Sequence, residues 1–271
     1  TRTWTAVDSC GNTNSCNQLV TVQDTTRPII TCPIDVTVNC DANNQPPATG
    51  VATATDNCTN VVTNISSSDN RTNGSCNDNY LITRTWTAVD SCGNTNSCNQ
   101  LVTVQDTTRP IITCPINVTV NCDANNQPPA TGVATATDNC TNVVTNISSS
   151  DNRTNGSCND NYLITRTWTA VDSCGNSNSC NQLVTVQDTT RPIITCPINV
   201  TVNCDANNQP PATGVATATD NCTNVVTNIS SSDNRTNGSC NDNYLITRTW
   251  TAVDSCGNTN SCNQLVTVQD T

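Results

Sequence analysis

The segment TRTWTAVDSCGN starts at Thr1 and returns at Thr83, Thr165 and Thr247, so the 271-residue chain repeats every 82 residues. Self-similarity at a fixed period has to be read before any local feature, because each copy is a folding unit or part of one. The copies are almost identical. Asp35 becomes Asn117 and Asn199, and Thr13 and Thr95 become Ser177 before Thr259 restores the original. No copy has diverged toward a private role, so a single active site in one repeat is not expected. The junction VQDTTRPIITCP sets the boundaries, because a proline such as Pro110 can open a strand but not sit inside one. Three whole repeats follow, at 25–106, 107–188 and 189–270. Residues 1–24 read as the last two strands of a preceding repeat, and Thr271 as the start of another. With no initiator Met and no signal peptide, the chain is expected to be a piece of a longer array.

Within 25–106 the apolar period is two. Ile30, Cys32, Ile34, Val36 and Val38 alternate with Thr31, Asp35, Thr37 and Asn39, which predicts a half-buried strand over 29–40. GVATATD, VVTNIS at 61–66, NYLITRTWTAVD at 79–90 and NQLVTVQD at 99–106 supply the other strands. Ile82, Trp86 and Ala88 share one face of the fourth, with Arg84 beside Trp86 and within cation–π reach. No helical period is present. The expected fold is all-β: tandem immunoglobulin-like antiparallel sandwiches stapled by disulfides.

The staples are needed because hydrophobic residues are only 34% of the chain, so each 82-residue unit buries little area. There are 20 Cys and no His. Without His or a tight CxxC pair, oxidised disulfides are a better reading than metal sites. Strand ends that meet in a sandwich suggest Cys32–Cys98, Cys40–Cys76 and Cys58–Cys92. In the later repeats this becomes Cys114–Cys180, Cys122–Cys158 and Cys140–Cys174, then Cys196–Cys262, Cys204–Cys240 and Cys222–Cys256. A local Cys92–Cys98 bridge competes. Cys10 and Cys16 pair either with each other or with chain outside 1–271.

The landmarks CPIDVTVNC, ATATDNC, ITRTWTAVDSCGN and VTVQD, in that order, resemble the hyalin repeat and its bacterial relatives of the Bacteroidota type. The resemblance covers all three whole repeats and residues 1–24. It implies an immunoglobulin-like sandwich found in tandem in secreted and cell-surface proteins, often in adhesion. It also implies that Cys32 and Cys98 match a Cys pair common in that family, and it brings no catalytic residues. Fold analogy says little about a ligand.

Asn-x-Ser/Thr acceptors for glycans lie at Asn64, Asn70 and Asn73, at Asn117, Asn146, Asn152 and Asn155, and at Asn199, Asn228, Asn234 and Asn237. Asn57, Asn139 and Asn221 also fit the pattern but adjoin a cysteine. Thr25, Thr107 and Thr189 follow Asp in a pattern that resembles bacterial O-glycosylation acceptors, as does Asp8-Ser9-Cys10. Covalent glycan is therefore expected. No other cofactor is required, although Ca²⁺ suits the oxygen ligands Asp56-Asn57, Asp90 with Asn94, and Asp106. Those residues are also ordinary turn formers. All 21 acids are Asp and the net charge is −11, which argues against a nucleic-acid partner. No apolar run reaches the length of a membrane span. With general bases limited to Asp and the thiols oxidised, no enzyme is expected. The expected role is an extracellular, secreted structural fibril or stalk. Its partners are neighbouring repeats, with lateral assembly as a further option. The alternative is a surface adhesin that binds polysaccharide or a host protein.

Overall fold

The computed structural model describes residues 1–58, 62, 64–140, 144, 146–222, 226 and 228–270. The expected start of a strand at 61 and the opening of a new repeat at 271 lie outside the described residues. The chain falls into two compact units. One is Thr1–Thr108 with Asn139–Val143 and Ser173–Asn176; the other is Arg109–Asp138, Val144–Asp172 and Ser177–Thr271.

Among the described residues every regular element is a strand. A hairpin of β1 (Arg2–Val7) and β2 (Thr13–Gln18) comes first. Then come β3 (Ile29–Thr31), β4 (Val36–Asn39), β5 (Thr53–Thr55), β6 (Asn64–Asn73), β7 (Tyr80–Val89) and β8 (Thr95–Gln105). The set returns as β9 (Ile111–Thr113), β10 (Val118–Asn121), β11 (Thr135–Thr137), β12 (Asn146–Asn155), β13 (Tyr162–Val171) and β14 (Ser177–Gln187). It returns again as β15 (Ile193–Thr195), β16 (Val200–Asn203), β17 (Thr217–Thr219), β18 (Asn228–Asn237), β19 (Tyr244–Val253) and β20 (Thr259–Gln269). Each repeat is an immunoglobulin-like sandwich of a four-stranded sheet, ordered β4-β8-β7-β6, and a two-stranded sheet, β3-β5. Within the larger sheet β4 runs parallel to β8, and the other pairs are antiparallel.

The single strand expected over 29–40 is two strands, one in each sheet. Pro33 has no N–H to give a ladder, and the chain changes sheets across 32–35, which leaves Ile34 82% exposed rather than inward. Asp35 repairs the break, because its Oδ1 accepts the Leu101 N–H at 2.8 Å. Asn117 and Asn199 do the same for Leu183 and Leu265. The difference between repeats at this position, which lies between the two strands, is thus a swap between two side chains that offer the same acceptor.

β7 is one of the two inner strands, paired on both sides, and it buries Ile82, Arg84, Trp86 and Ala88. The apolar core is small: Ile82, Val102 and Val104 packed by Val36, Val38, Cys40 and Tyr80. Beside it lies a polar layer that the residue pattern only half suggested. Arg84 and Gln100 are fully buried. Arg84 makes a bidentate pair with Asp69, through Nε at 2.7 Å and Nη2 at 2.8 Å. It also donates to Thr49 Oγ1 and the Asn44 carbonyl. Gln100 donates to the carbonyls of Ile34 and Thr49 and accepts from Trp86 Nε1. A buried charge is tolerable only when its donors are used in this way. The cation–π contact expected of Arg84 with Trp86 is seen in its N-terminal copy, Arg2 over Trp4 at 5.8 Å, while within the repeat Arg84 turns to Asp69. Arg71 stacks on Tyr80, 3.6 Å from the ring centroid.

Candidate functional site

Cys32 is bonded to Cys98, Cys114 to Cys180 and Cys196 to Cys262, each pair with Cα atoms 5.9 Å apart. They staple the two sheets of a sandwich. The other bridges correct the expected pairing. Cys40 bonds Cys140 and not Cys76, and Cys76 bonds Cys174. One period later Cys122 bonds Cys222 and Cys158 bonds Cys256. Since Cys140 and Cys174 are the copies of Cys58 and Cys92, each such bond crosses from one repeat into the next. Cys40–Cys76, Cys58–Cys92 and their counterparts Cys122–Cys158, Cys140–Cys174, Cys204–Cys240 and Cys222–Cys256 therefore do not form. The local Cys92–Cys98 bridge is excluded because Cys98 is already taken. Cys58, Cys92, Cys204 and Cys240 carry free thiols, as do Cys10 and Cys16, which are not bonded to each other.

The same region gathers acidic side chains. In the second unit, Asp188, Asp220 and Asp254 each offer a carboxylate oxygen within 4.8 Å of the other two. Three separate stretches supply them. Asp254 sits in the β19–β20 turn, where its Oδ1 accepts from the backbone N–H of Cys256 and Asn258. Asn258 Nδ2 bonds both Asp254 Oδ2 and the Asp188 carbonyl, and so ties the turn to the segment entering the repeat. Asp188 Oδ1 accepts the Thr190 N–H, and Asp220 Oδ2 accepts the Cys222 N–H at 3.3 Å. Asp188 Oδ2 and Asp220 Oδ1 are buried without a hydrogen-bond partner. Burial pushes the Asp188 carboxyl above its ordinary value, and repulsion from Asp220, Asp254 and Asp160 adds to it. The expected oxygen cluster is thus corrected in one member. The aspartate that joins the copies of Asp56 and Asp90 precedes their repeat, as Asp188 does and as Asp24 does beside Asp56. Asp106, one period after Asp24, holds that place ahead of the next repeat.

The glycan acceptors separate by position. Asn64, Asn70 and Asn73 all lie exposed on the edge strand β6, and Asn146, Asn152, Asn155, Asn228, Asn234 and Asn237 lie likewise on β12 and β18. Asn117, Asn199, Thr25, Thr107 and Thr189 are exposed too. Asn221 is different, because its Nδ2 donates to Asp123 Oδ2 at 3.0 Å and to Thr190 Oγ1. Asn139 Nδ2 points at Cys40 Sγ, 3.9 Å away.

No family model matches the chain, and no curated protein matches it. Solved structures with similar folds include three cadherin-type chains. One is the protocadherin gammaB4 extracellular domain, with 15% identity and TM-score 0.35, covering 99% of this chain and 53% of that one. Protocadherin gamma C5 EC1-3 has 14% identity and TM-score 0.31, covering 70% and 78%. Drosophila N-cadherin EC1-4 has 13% identity and TM-score 0.31, covering 90% and 76%. Overlap this loose says nothing about ligands or partners of this chain.

Proposed function

We propose that the chain is a non-catalytic structural segment of an extracellular tandem-repeat fibril or stalk, of the kind its hyalin-repeat resemblance implies, with neighbouring repeats covalently tied. The observation that carries this reading is the pair of disulfides between successive repeats. Two bonds from separate loops restrain a junction far more than a linker alone, and each also removes unfolded-state entropy. Disulfides of this number persist in an oxidising compartment. Glycan on the outward Asn and Thr rows would coat such an array and protect it from proteases. Two features weigh against the adhesin alternative. Trp86 is 4% exposed, and the face of Tyr80 is covered by Arg71, so neither offers an open platform on which a sugar ring can stack.

The test is peptide mapping of the oxidised chain, cleaved without reduction. The reading expects linked peptides containing Cys40 with Cys140 and Cys76 with Cys174. Recovery of Cys40 linked to Cys76 would sink it.

A further inference from the structure

We propose that Asp188, Asp220 and Asp254 form a Ca²⁺ site that clamps the entry of the 189–270 repeat to its β17–β18 and β19–β20 loops. Acidic residues cluster on many surfaces without a ligand, so proximity alone decides nothing. What points to a cation is the state of the oxygens. Asp188 is 5% exposed and Asp254 is 2% exposed, so neither carboxylate can be fully hydrated. Asp188 Oδ2 and Asp220 Oδ1 are sealed from solvent with no donor facing them. A buried acceptor left unmade costs about 1–3 kcal/mol, more when charged. Turn formation does not account for this arrangement. The turns use Asp188 Oδ1, Asp220 Oδ2 and both oxygens of Asp254, and leave the two remaining oxygens buried without a donor in a group whose carboxylates lie within 4.8 Å of one another.

The chemistry of the donors selects the ion. All three are hard carboxylate oxygens. The chain has no His, and the nearby Cys222 is tied up with Cys122, which removes the ligands that zinc or copper would favour. Ca²⁺ binds oxygens at 2.3–2.6 Å, so ligands on opposite sides of it lie up to about 5 Å apart. The three oxygens lie within 4.8 Å of one another, inside that span. Mg²⁺, at about 2.0–2.1 Å, demands near-ideal octahedral geometry and gives up its waters reluctantly, so a three-carboxylate site suits it less. Backbone carbonyls and water would complete the shell.

The Ca²⁺ site stands apart from the disulfide reading, since peptide mapping and metal titration fail independently. The experiment is calorimetric titration of the full, EDTA-treated chain with CaCl₂, run beside Asp220→Asn, the double variant Asp188→Asn/Asp220→Asn, and Asp205→Asn, which removes an exposed carboxylate elsewhere. Saturable binding is expected. The double variant should lose one equivalent of Ca²⁺, Asp220→Asn should weaken that equivalent at least tenfold, and Asp205→Asn should change nothing. MgCl₂ should bind at least tenfold more weakly. Thermal melts supply a second readout. Without Ca²⁺ the double variant should melt above the parent, because repulsion has been relieved. With Ca²⁺ the parent should gain and the variant should gain less. Unchanged stoichiometry in the double variant, or a parent that neither binds nor shifts in millimolar Ca²⁺, would overturn the assignment.

Discussion

The sequence TRTWTAV occurs four times, and its tryptophan is not presented alike in all of them. Trp4 is 56% exposed whereas Trp86 is 4% exposed. Both indoles nevertheless donate to the glutamine across the hairpin, Gln18 or Gln100. The local pairing is thus written in the sequence, and burial is conferred by the strands that cover it. The same holds for Arg84, whose alternation placed it inward without revealing a partner fifteen residues earlier in Asp69. Replacing Asp69 with Asn would strand a guanidinium whose side chain is 0% exposed. Breaking a buried pair in this way costs about 3–5 kcal/mol, so a new early unfolding transition should appear in urea or thermal melts. The pH dependence has a definite sign. The Arg84 guanidinium, bonded to Asp69, holds that carboxyl below its ordinary 3.8. Its contribution is present above about pH 4 and is lost as pH falls through the lowered value. The parent should therefore weaken toward acid more steeply than Asp69→Asn, as measured by urea midpoints from pH 6 down to pH 2.

Among the elements, β7 was legible along its whole length and β8 from Asn99 onward, because inward and outward residues alternate there, a period that no helix produces; the first four residues of β8, Thr95 to Cys98, were not read as strand. β6 was legible only at its start. NISSSDNRTN has one half-buried residue, Ile65, and is a strand only because it pairs residue for residue with β7 from Asn64 opposite Val89 to Asn73 opposite Tyr80. An edge strand this polar resists pairing with another chain, and glycan would strengthen that protection. The glycan expectation is therefore specific to elements. In a host with N-glycosylation machinery, intact glycopeptides should show occupancy on Asn64, Asn70 and Asn73 and their copies, and none on Asn139 or Asn221. Sugar on Asn221 would mean that its bonds to Asp123 and Thr190 do not hold. The loop before β5 carries a different constraint. Gly50 has φ +95°, and a Cβ there would lie 2.8 Å from Pro33 Cβ. Gly50→Ala should therefore lower the melting temperature through strain at the left-handed position and a clash with the sheet-switching segment. An unchanged melt would refute that packing.

For the whole molecule, the inter-repeat bonds were the part the sequence concealed. Six cysteines per repeat is an even number that invites closure within the repeat. Exact repetition also makes Cys58 and Cys140 identical in every local respect, so only the fold shows which of them meets Cys40. Once that is known, the free thiols acquire partners by analogy. Cys204 and Cys240 are the copies of Cys40 and Cys76, while Cys58 and Cys92 are the copies of Cys140 and Cys174. The chain thus carries both halves of one two-disulfide junction, with all four thiols exposed. Oxidation should join copies head to tail, Cys204 to Cys58 and Cys240 to Cys92. Partial desolvation, then Asp24, pushes the Cys58 thiol above its ordinary 9.0, and desolvation with Asp270 does the same for Cys204. Because the thiolate is the attacking species, coupling should be slow at pH 7 and faster as pH rises toward 9. With Cys10 and Cys16 replaced by Ser, non-reducing electrophoresis should show a ladder that collapses on reduction. A chain also lacking Cys58 and Cys92, mixed with one lacking Cys204 and Cys240 instead, should stop at dimers linked through the remaining two pairs. If each of these chains instead forms the same ladder alone, the thiols pair without regard to repeat position, and the junction is not what selects the partner.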